Sequence, residues 1–177
     1  MSKPRLSIVL GTARKNRQSQ KVAHYLVNFF RQFNELDTTL VDVRDYATNY
    51  TIAAWEEDEA AKPWRNLVAA TAAFIFVVPE YNRSFPGELK LVLDSELAAY
   101  DDKPVILAGV SIGSFGGLAA LTSLLPVLHK IGLRILPEQL YFPEVEELFK
   151  NSEEELALIY ESKLIQVKDA IFKSLNL

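Results

Sequence analysis

Two polar segments of this chain carry residue types that could do chemistry, and each follows an apolar run. The first, residues 11–19, reads Gly-Thr-Ala-Arg-Lys-Asn-Arg-Gln-Ser and so combines hydroxyls, amides and three cations directly before a predicted helix. The N–H groups of a helix N-terminus bind phosphate, and nearby cations strengthen that binding. Thr12, Arg14 and Ser19 are therefore candidate phosphate ligands. The alternative is an ordinary helix start capped by Ser19.

The second segment, residues 79–87, reads Pro-Glu-Tyr-Asn-Arg-Ser-Phe-Pro-Gly, and its two prolines make the backbone rigid. Tyr81 could lie against a flat heterocycle, and the amides near Asn82 could donate to the polar edge of an isoalloxazine ring. The alternative is a plain surface turn. Glu80 stands without a partner carboxylate, so a structural or subunit-contact role fits it better than general-base catalysis. The two segments together suggest an enzyme that holds FMN.

A third segment, residues 111–117, reads Ser-Ile-Gly-Ser-Phe-Gly-Gly. Glycine removes side chains where the backbone must approach a flat ligand or another chain closely, although it also suits a tight helix start. Its Gly-x-x-Gly-Gly spacing is not the dinucleotide-binding fingerprint, and the chain lacks the P-loop motif. A nicotinamide-type Rossmann domain and a P-loop nucleotidase are therefore disfavoured.

Composition excludes further classes of function. The 177 residues contain no cysteine, which excludes disulfides, thiolate nucleophiles and cysteine-ligated metals. His24 and His129 fall on separate predicted helices without a second ligand at metal-binding spacing, so we predict no metal site. The sequence also shows no convincing pair of acid and base residues for catalysis.

The net charge of −4 and a pI near 5.3 give no reason to expect a nucleic-acid partner. Residues 1–34 nevertheless carry Lys and Arg but no Asp or Glu, which either attracts an anionic ligand or forms a solvated basic face. No apolar run is long enough to span a membrane or to act as a signal peptide. We therefore expect a cytoplasmic protein that does not bind membranes.

The elements that must position these segments alternate between strand and helix. This alternation predicts one α/β domain over residues 1–177, with a parallel sheet of five strands covered on both faces. All three segments follow strands, and such sheets bind ligands at the carboxyl ends of their strands. Predicted strands are residues 6–10, 39–43, 74–78, 105–110 and one near Pro137; predicted helices are one from Ser19 and residues 63–70, 87–100, 118–130 and 153–175.

At these segments the chain resembles the NADPH-dependent FMN reductase family of flavodoxin-like proteins. The resemblance covers about residues 5–135, and its most specific part is Pro-Glu-Tyr-Asn-x-Ser-x-Pro-Gly-x-Leu-Lys at residues 79–90. It implies a three-layer sandwich with a five-stranded parallel sheet in the order 2-1-3-4-5. It also implies FMN held by the three segments, and homodimers or homotetramers with sites near the subunit contacts.

The family's site residues can be carried onto this chain one by one. The stretch of residues 11–19 is longer than in the common family pattern, and Thr12 follows the first Gly where Ser is usual, so Arg17 and Gln18 compete with Arg14 for the phosphate. The resemblance implies Thr12, Arg14 and Ser19 at the phosphate, Pro79, Glu80, Tyr81 and Asn82 at the ring system, and Ser111, Gly113, Gly116 and Gly117 on the other side of the ring.

The function we predict from this resemblance is an FMN-dependent oxidoreductase. It would transfer hydride from NADPH or NADH to FMN and pass electrons on to a small-molecule acceptor in a ping-pong order. The acceptor could be free flavin, a quinone, an azo dye or a metal oxyanion, and no acid or base side chain is required. Two alternatives stay open: an FMN electron carrier without NAD(P)H oxidation, and a binding protein on the same fold without flavin.

Overall fold

The sheet of this protein is parallel throughout in a computed structural model that describes residues 3–177. The strands are β1 (Arg5–Leu10), β2 (Asp37–Asp42), β3 (Ala73–Pro79), β4 (Pro104–Val110), β5 (Arg134–Ile135) and β6 (Leu140–Phe142). They run in the order β2-β1-β3-β4-β5, and β6 also pairs with β4. The predicted fold class and strand order are confirmed.

Helices cover both faces of the sheet. They are α1 (Ser19–Phe30), α2 (Lys62–Ala70), α3 (Gly87–Asp94), α4 (Leu118–Lys130), α5 (Val145–Leu148) and α6 (Glu153–Leu175). A core on one face includes residues of α1 and α6, and a core on the other face includes residues of α2, α3 and α4. The single domain over residues 1–177 stays a prediction, and Met1 and Ser2 lie outside the described residues.

The two cores explain why the central strands are apolar at every position. Ile75 and Val77 of β3 belong to the core under α1 and α6, whereas Phe74 and Phe76 belong to the opposite core. All seven residues of β3 are buried. A parallel strand covered on both faces has no solvent side, so its sequence shows an apolar run instead of an alternation.

Two element boundaries differ from the prediction. The helix expected to reach residue 100 ends at Asp94, where the hydroxyl of Ser95 donates to the carbonyl of Val92 at 2.8 Å. The single strand expected near Pro137 is two short strands, β5 and β6, on either side of it. Proline has no N–H to donate to a ladder, and this accounts for the interruption.

In the described part of the chain, no helix is both long and apolar enough to cross a membrane. Cytoplasmic localisation stays a prediction.

A buried hydrogen bond fixes α2 against the segment that precedes β4. The indole Nε1–H of Trp64 donates to the hydroxyl of Tyr100 at 2.7 Å, and both side chains are buried. Burial raises the pKa of Tyr100 far above its usual value, so the phenol stays neutral. The hydroxyl oxygen of Tyr100 is thus the acceptor for the buried indole N–H.

Replacing Tyr100→Phe would leave the Trp64 N–H buried without its acceptor. We expect this change to lower the free energy of unfolding by about 1–3 kcal/mol, measured by urea denaturation. Tyr50 is the control, because its hydroxyl contacts Asp58 at the surface. Tyr50→Phe is expected to change stability by less than about 0.5 kcal/mol. Equal effects of the two substitutions would contradict this account.

Candidate functional site

The three polar segments converge at the carboxyl edge of the sheet. We call them the first loop (residues 11–19), the second loop (residues 79–87) and the third loop (residues 111–117). Near the start of each loop, one backbone N–H is bonded to the neighbouring strand and continues the parallel ladder. These bonds are Gly11 to the Val77 carbonyl at 2.9 Å, Glu80 to Val110 at 2.9 Å and Ser111 to Phe142 at 3.1 Å.

Between the loops lies a cleft of about 580 Å³. This volume is in the range of small-molecule and cofactor sites. Among the residues predicted for the site, the cleft is lined by Arg14, Gln18, Ser19, Pro79, Glu80, Tyr81, Asn82 and Ser111. It is also lined by Asn16, Val110, Ile112, Val145 and Glu146, which were not predicted as site residues.

The N-terminus of α1 presents a buried hydroxyl to this cleft. Ser19 is the first residue of the helix and is only 2% exposed. Its Oγ has no hydrogen-bond partner within the described residues. Buried hydroxyls are normally paired, so an unpaired one in a cleft suits a ligand oxygen. At a helix N-terminus, where N–H groups are free and the dipole is positive, the suitable ligand is an anion.

Arg14 and Arg17, the competing cations of the first loop, have different environments. Arg14 is exposed and lines the cleft, with its guanidinium carbon 5.8 Å from the centre of the Tyr81 ring. Arg17 is buried and forms a two-point ion pair with Asp42 at the end of β2, with Nη1 2.9 Å from Oδ1. Its Nη1 also donates to the carbonyl of Thr12. Arg14 is thus the one with a guanidinium available to a ligand in the cleft.

Arg44, which follows β2, also contacts the backbone of the first loop. Its Nη2 donates to the carbonyls of Ala13 at 3.2 Å and Arg14 at 3.0 Å. Together with the bond from Arg17, these contacts engage three successive carbonyls of the loop. Arg17 and Arg44 therefore fix the loop backbone from the side of β2.

Thr12 links the first loop to the second. Its side chain is fully buried, its Oγ1 lies 3.2 Å from the hydroxyl of Tyr81, and it accepts the N–H of Arg14 at 3.2 Å. Thr12 does not line the cleft itself. It positions the Tyr81 ring and the backbone of Arg14, both of which line or border the cleft.

The second loop contains a tight turn that aims Tyr81 and Asn82 into the cleft. Tyr81 and Ser84 exchange both backbone hydrogen bonds, at 2.9 and 3.0 Å. The two central residues, Asn82 and Arg83, have φ of 50° and 65°. Positive φ at both central positions defines a type I′ turn, which asparagine tolerates better than most residues.

Glu80 connects the second loop to α4. Its Oε2 accepts the backbone N–H of Ala119 at 3.2 Å, in the first turn of that helix. A carboxylate at a helix N-terminus is favoured by the free N–H groups and the dipole. Glu80 therefore has a structural contact, in line with the prediction that a structural role fits it better than general-base catalysis.

Glycines let the third loop pack closely on β4. Gly117 has φ of +85°, and a Cβ there would lie 2.4 Å from the backbone nitrogen of Val110. Gly116 approaches Tyr141 and Phe142 with similar closeness. Gly113, by contrast, has open space around it. None of these three glycines lines the cleft, whereas Ser111 does, with its hydroxyl donating to the Gly113 carbonyl at 2.7 Å.

The fourth wall of the cleft comes from α5, which the sequence did not predict. The N–H groups of Glu144 and Val145 donate to the carbonyls of Gly113 and Ser111, both at 3.1 Å. This brings Glu146 to the cleft, where its Oε1 lies 3.5 Å from Nε2 of Gln18. The helix is only four residues long, so it leaves no periodic signal in the sequence.

Within residues 3–177, no group of three or more His, Cys, Asp or Glu side chains is arranged to hold a metal ion. The cleft thus contains a buried hydroxyl without a partner in the described residues, an exposed guanidinium and an aromatic ring. A family model described as NADPH-dependent FMN reductase matches residues 4–147 of this sequence. The chain belongs to the NADPH-dependent FMN reductase family. Membership confirms the predicted class, an oxidoreductase that uses FMN together with NADPH or NADH.

Sequence relatives include several enzymes of this family. An NAD(P)H-dependent FMN reductase of Schizosaccharomyces pombe is 25% identical over 76% of this chain and 70% of its own length. A quinone reductase of Pseudomonas putida is 33% identical over 65% of this chain and 64% of its own length. An NADPH azoreductase of a Bacillus species is 30% identical over 76% of this chain and 74% of its own length.

Solved structures agree on the fold. The flavoenzyme FerB of Paracoccus denitrificans, an NAD(P)H:acceptor oxidoreductase, superimposes with a TM-score of 0.77 at 22% identity, covering 97% of this chain and 98% of FerB. A flavodoxin of Pseudomonas aeruginosa superimposes with a TM-score of 0.61 at 15% identity, covering 94% of this chain and 98% of the flavodoxin. The family member described here therefore has a flavodoxin-like fold.

The ion pair of Arg17 with Asp42 yields a test of how the first loop is held. Asp42→Asn would leave the buried guanidinium without its counter-charge, and we expect the free energy of unfolding to fall by about 3 kcal/mol. Asp37, at the other end of β2, is the control. It pairs with Arg5, and both side chains are more than 40% exposed.

Asp37→Asn is expected to cost less than about 1 kcal/mol, because exposed ion pairs contribute little. Urea denaturation of both variants measures the difference. Similar losses in the two variants would show that Arg17 does not depend on Asp42.

Proposed function

We propose that the cleft binds FMN with its phosphate at the N-terminus of α1 and its isoalloxazine ring between the second and third loops. The observation that carries this proposal is the buried, unpaired hydroxyl of Ser19 beside the exposed guanidinium of Arg14. The hydroxyl, the positive end of the helix dipole and the cation together suit a terminal phosphate. A phosphate would also supply the acceptor that the Ser19 hydroxyl lacks.

Of the candidate phosphate ligands, we assign Arg14, Ser19 and Gln18 to direct contact. Arg17 and Thr12 act behind them, since Arg17 is engaged by Asp42 and Thr12 is buried against Tyr81. Their role is to keep the loop backbone in the conformation that presents its N–H groups. This division follows from which side chains line the cleft.

For the ring system, we assign the backbone of Pro79 to Asn82 and the start of the third loop. Tyr81 provides an aromatic surface, and the type I′ turn holds the amides near Asn82 in a fixed orientation. Preorganised backbone donors stabilise negative charge that develops on a bound heterocycle. Ser111 and Ile112 line the opposite wall.

FMN supplies hydride acceptance and electron transfer, so the protein needs no acid–base pair of its own. Its residues bind the cofactor, orient it and leave one side of the cleft open to substrates. We propose that NADPH or NADH and the acceptor use this open side in turn, which is a ping-pong order. Acceptors of the quinone, azo and flavin classes are suggested by the names of the relatives, and a metal oxyanion is a further candidate.

We further propose that the protein is a homodimer, with a second copy covering an apolar groove beside the cleft. The groove has a volume of about 520 Å³ and is lined by Arg83, Phe115, Leu118, Ala119, Thr122 and Ser123. Phe115 is 69% exposed, and nearby Ile112 of the cleft wall is 77% exposed. Large apolar side chains gathered at one exposed place mark contact surfaces. The groove is joined to the second loop through Ser84 and Ser123, whose hydroxyls are 3.1 Å apart.

The first experiment is an FMN titration of the purified protein by fluorescence quenching, followed by NADPH and NADH oxidation in the same sample. We expect saturable binding and flavin-dependent oxidation. Arg14→Ala should weaken FMN binding roughly tenfold or more, the loss expected for a charge-assisted contact of about 1.5–3 kcal/mol. Lys15→Ala is the matched control, because Lys15 is exposed in the same loop and does not line the cleft.

Binding without oxidation would favour the electron carrier, and no binding would overturn the flavin assignment for this cleft. Equal losses in the Arg14 and Lys15 variants would mean that the loop contributes only diffuse positive charge.

The dimer predicts a specific effect of charge in the groove. Phe115→Asp should shift the protein towards monomer in sedimentation velocity, because a carboxylate would have to be desolvated at the contact. Leu158→Asp is the control, since Leu158 is 88% exposed on α6 and belongs to neither the groove nor the cleft.

The Leu158 variant should keep the oligomeric state of the unmodified protein. A monomeric unmodified protein, or dissociation in both variants, would contradict the proposed contact surface.

A further inference from the structure

One acidic side chain lies where an anion is expected to bind. Glu146 belongs to α5, outside the three loops, yet it lines the same cleft as Arg14 and Ser19. Its Oε1 is 3.5 Å from Nε2 of Gln18, so its carboxylate lies beside the first loop. A carboxylate at this position is unexpected in a site for a phosphate, because like charges repel.

The other charges of the cleft do not neutralise Glu146. The charged residues that line the cleft are Arg14, Glu80 and Glu146. The carboxylate of Glu80 accepts a hydrogen bond at the N-terminus of α4, where the dipole compensates it. Glu147, the next residue along, pairs with Lys150 at 2.6 Å. Glu146 forms no ion pair with any residue in the range 3–177.

Glu146 contributes little to holding the fold, because its contact with Gln18 is at 3.5 Å, the long limit of a hydrogen bond. It is exposed, and the attachment of α5 to the third loop uses the backbone N–H groups of Glu144 and Val145. The buried side chain of this turn is Val145, which belongs to the core under α1 and α6. Removing the charge of Glu146 should therefore leave the protein folded.

We propose that Glu146 is a specificity-determining residue that lowers the affinity of the site for the flavin phosphate. This inference rests on the proposed function, in which the phosphate of FMN lies between Arg14 and the N-terminus of α1. A phosphate monoester carries about −1.5 to −2 charges at neutral pH, so a carboxylate in the same cleft opposes its binding. Glu146 thereby makes FMN an exchangeable ligand and reduces the advantage of FMN over riboflavin, which lacks the phosphate.

The test compares FMN with riboflavin in the unmodified protein, Glu146→Gln and Glu147→Gln. Glutamine has the size of glutamate without its charge. We expect Glu146→Gln to lower the Kd for FMN about two- to fivefold, the upper part of the range for exposed charge pairs at a protein surface. The Kd for riboflavin should not change. Glu147→Gln should alter neither, because its carboxylate is paired with Lys150 outside the cleft.

Two further measurements separate charge from shape. The gain in FMN affinity should shrink as the salt concentration rises from about 0.01 M to 1 M, since screening weakens exposed charge pairs. Glu146→Ala should also tighten FMN binding, because it removes the same charge. Release of FMN, measured by stopped-flow dilution, should be slower in both Glu146 variants.

The outcomes distinguish this inference from the proposed function. An unmodified protein that does not quench FMN fluorescence would overturn the proposed function and the inference with it. FMN binding that is equal in the unmodified protein and Glu146→Gln would overturn the inference alone. A gain of the same size for riboflavin would also overturn it, because the effect would then involve the ring or ribityl chain instead of the phosphate.

Discussion

The register of the parallel strands is the constraint on which the candidate site depends. The first, second and third loops each leave their strand with one further N–H bonded to the neighbouring strand, through Gly11, Glu80 and Ser111. Because β3 and β4 are buried on both faces, a slip of one residue would exchange the two cores. The loops therefore start from fixed points, and the cleft between them is a consequence of the sheet.

The arginines in and around the first loop have two different roles. Arg17 and Arg44 hold the loop backbone, whereas Arg14 lines the cleft. Arg17 and Arg44 donate to three successive carbonyls of this loop, and the charge of Arg17 is neutralised by Asp42. With its carbonyls engaged from the side of β2, the loop can present N–H groups to the cleft. Arg14 keeps an exposed guanidinium in the cleft. The pair with Asp42 keeps the Arg17 guanidinium in place, because breaking a buried ion pair would leave an uncompensated charge.

The sequence predicted most of the fold because long apolar runs and helical periodicity are strong local signals. The central strands, the helix that begins at Ser19 and the final helix all have their predicted places. Arg14 and Arg17 could not be separated in this way, since their roles depend on Asp42, which is distant in sequence. Nor could Glu146 be found, because α5 is too short to show a period and reaches the cleft only through backbone bonds to the third loop. Tertiary contacts decide such positions, and local patterns do not record them.

The charge balance of the cleft fits a site that must bind a cofactor without needing catalytic acids or bases. Hydride chemistry on a flavin requires orientation and electrostatic support, and in the proposed binding mode these come from backbone donors and the type I′ turn. Carboxylates near such a site consequently take other roles. Glu80 joins the second loop to α4. Removing its carboxylate would therefore disturb the packing of this loop on the helix, and we expect no effect on a proton transfer. Glu146 forms no ion pair with another element among residues 3–177 and lines the same cleft as Arg14, so its charge would act on an anion bound there. The same residue type thus serves architecture on one side of the cleft and ligand affinity on the other, and only its hydrogen-bond partner distinguishes the two.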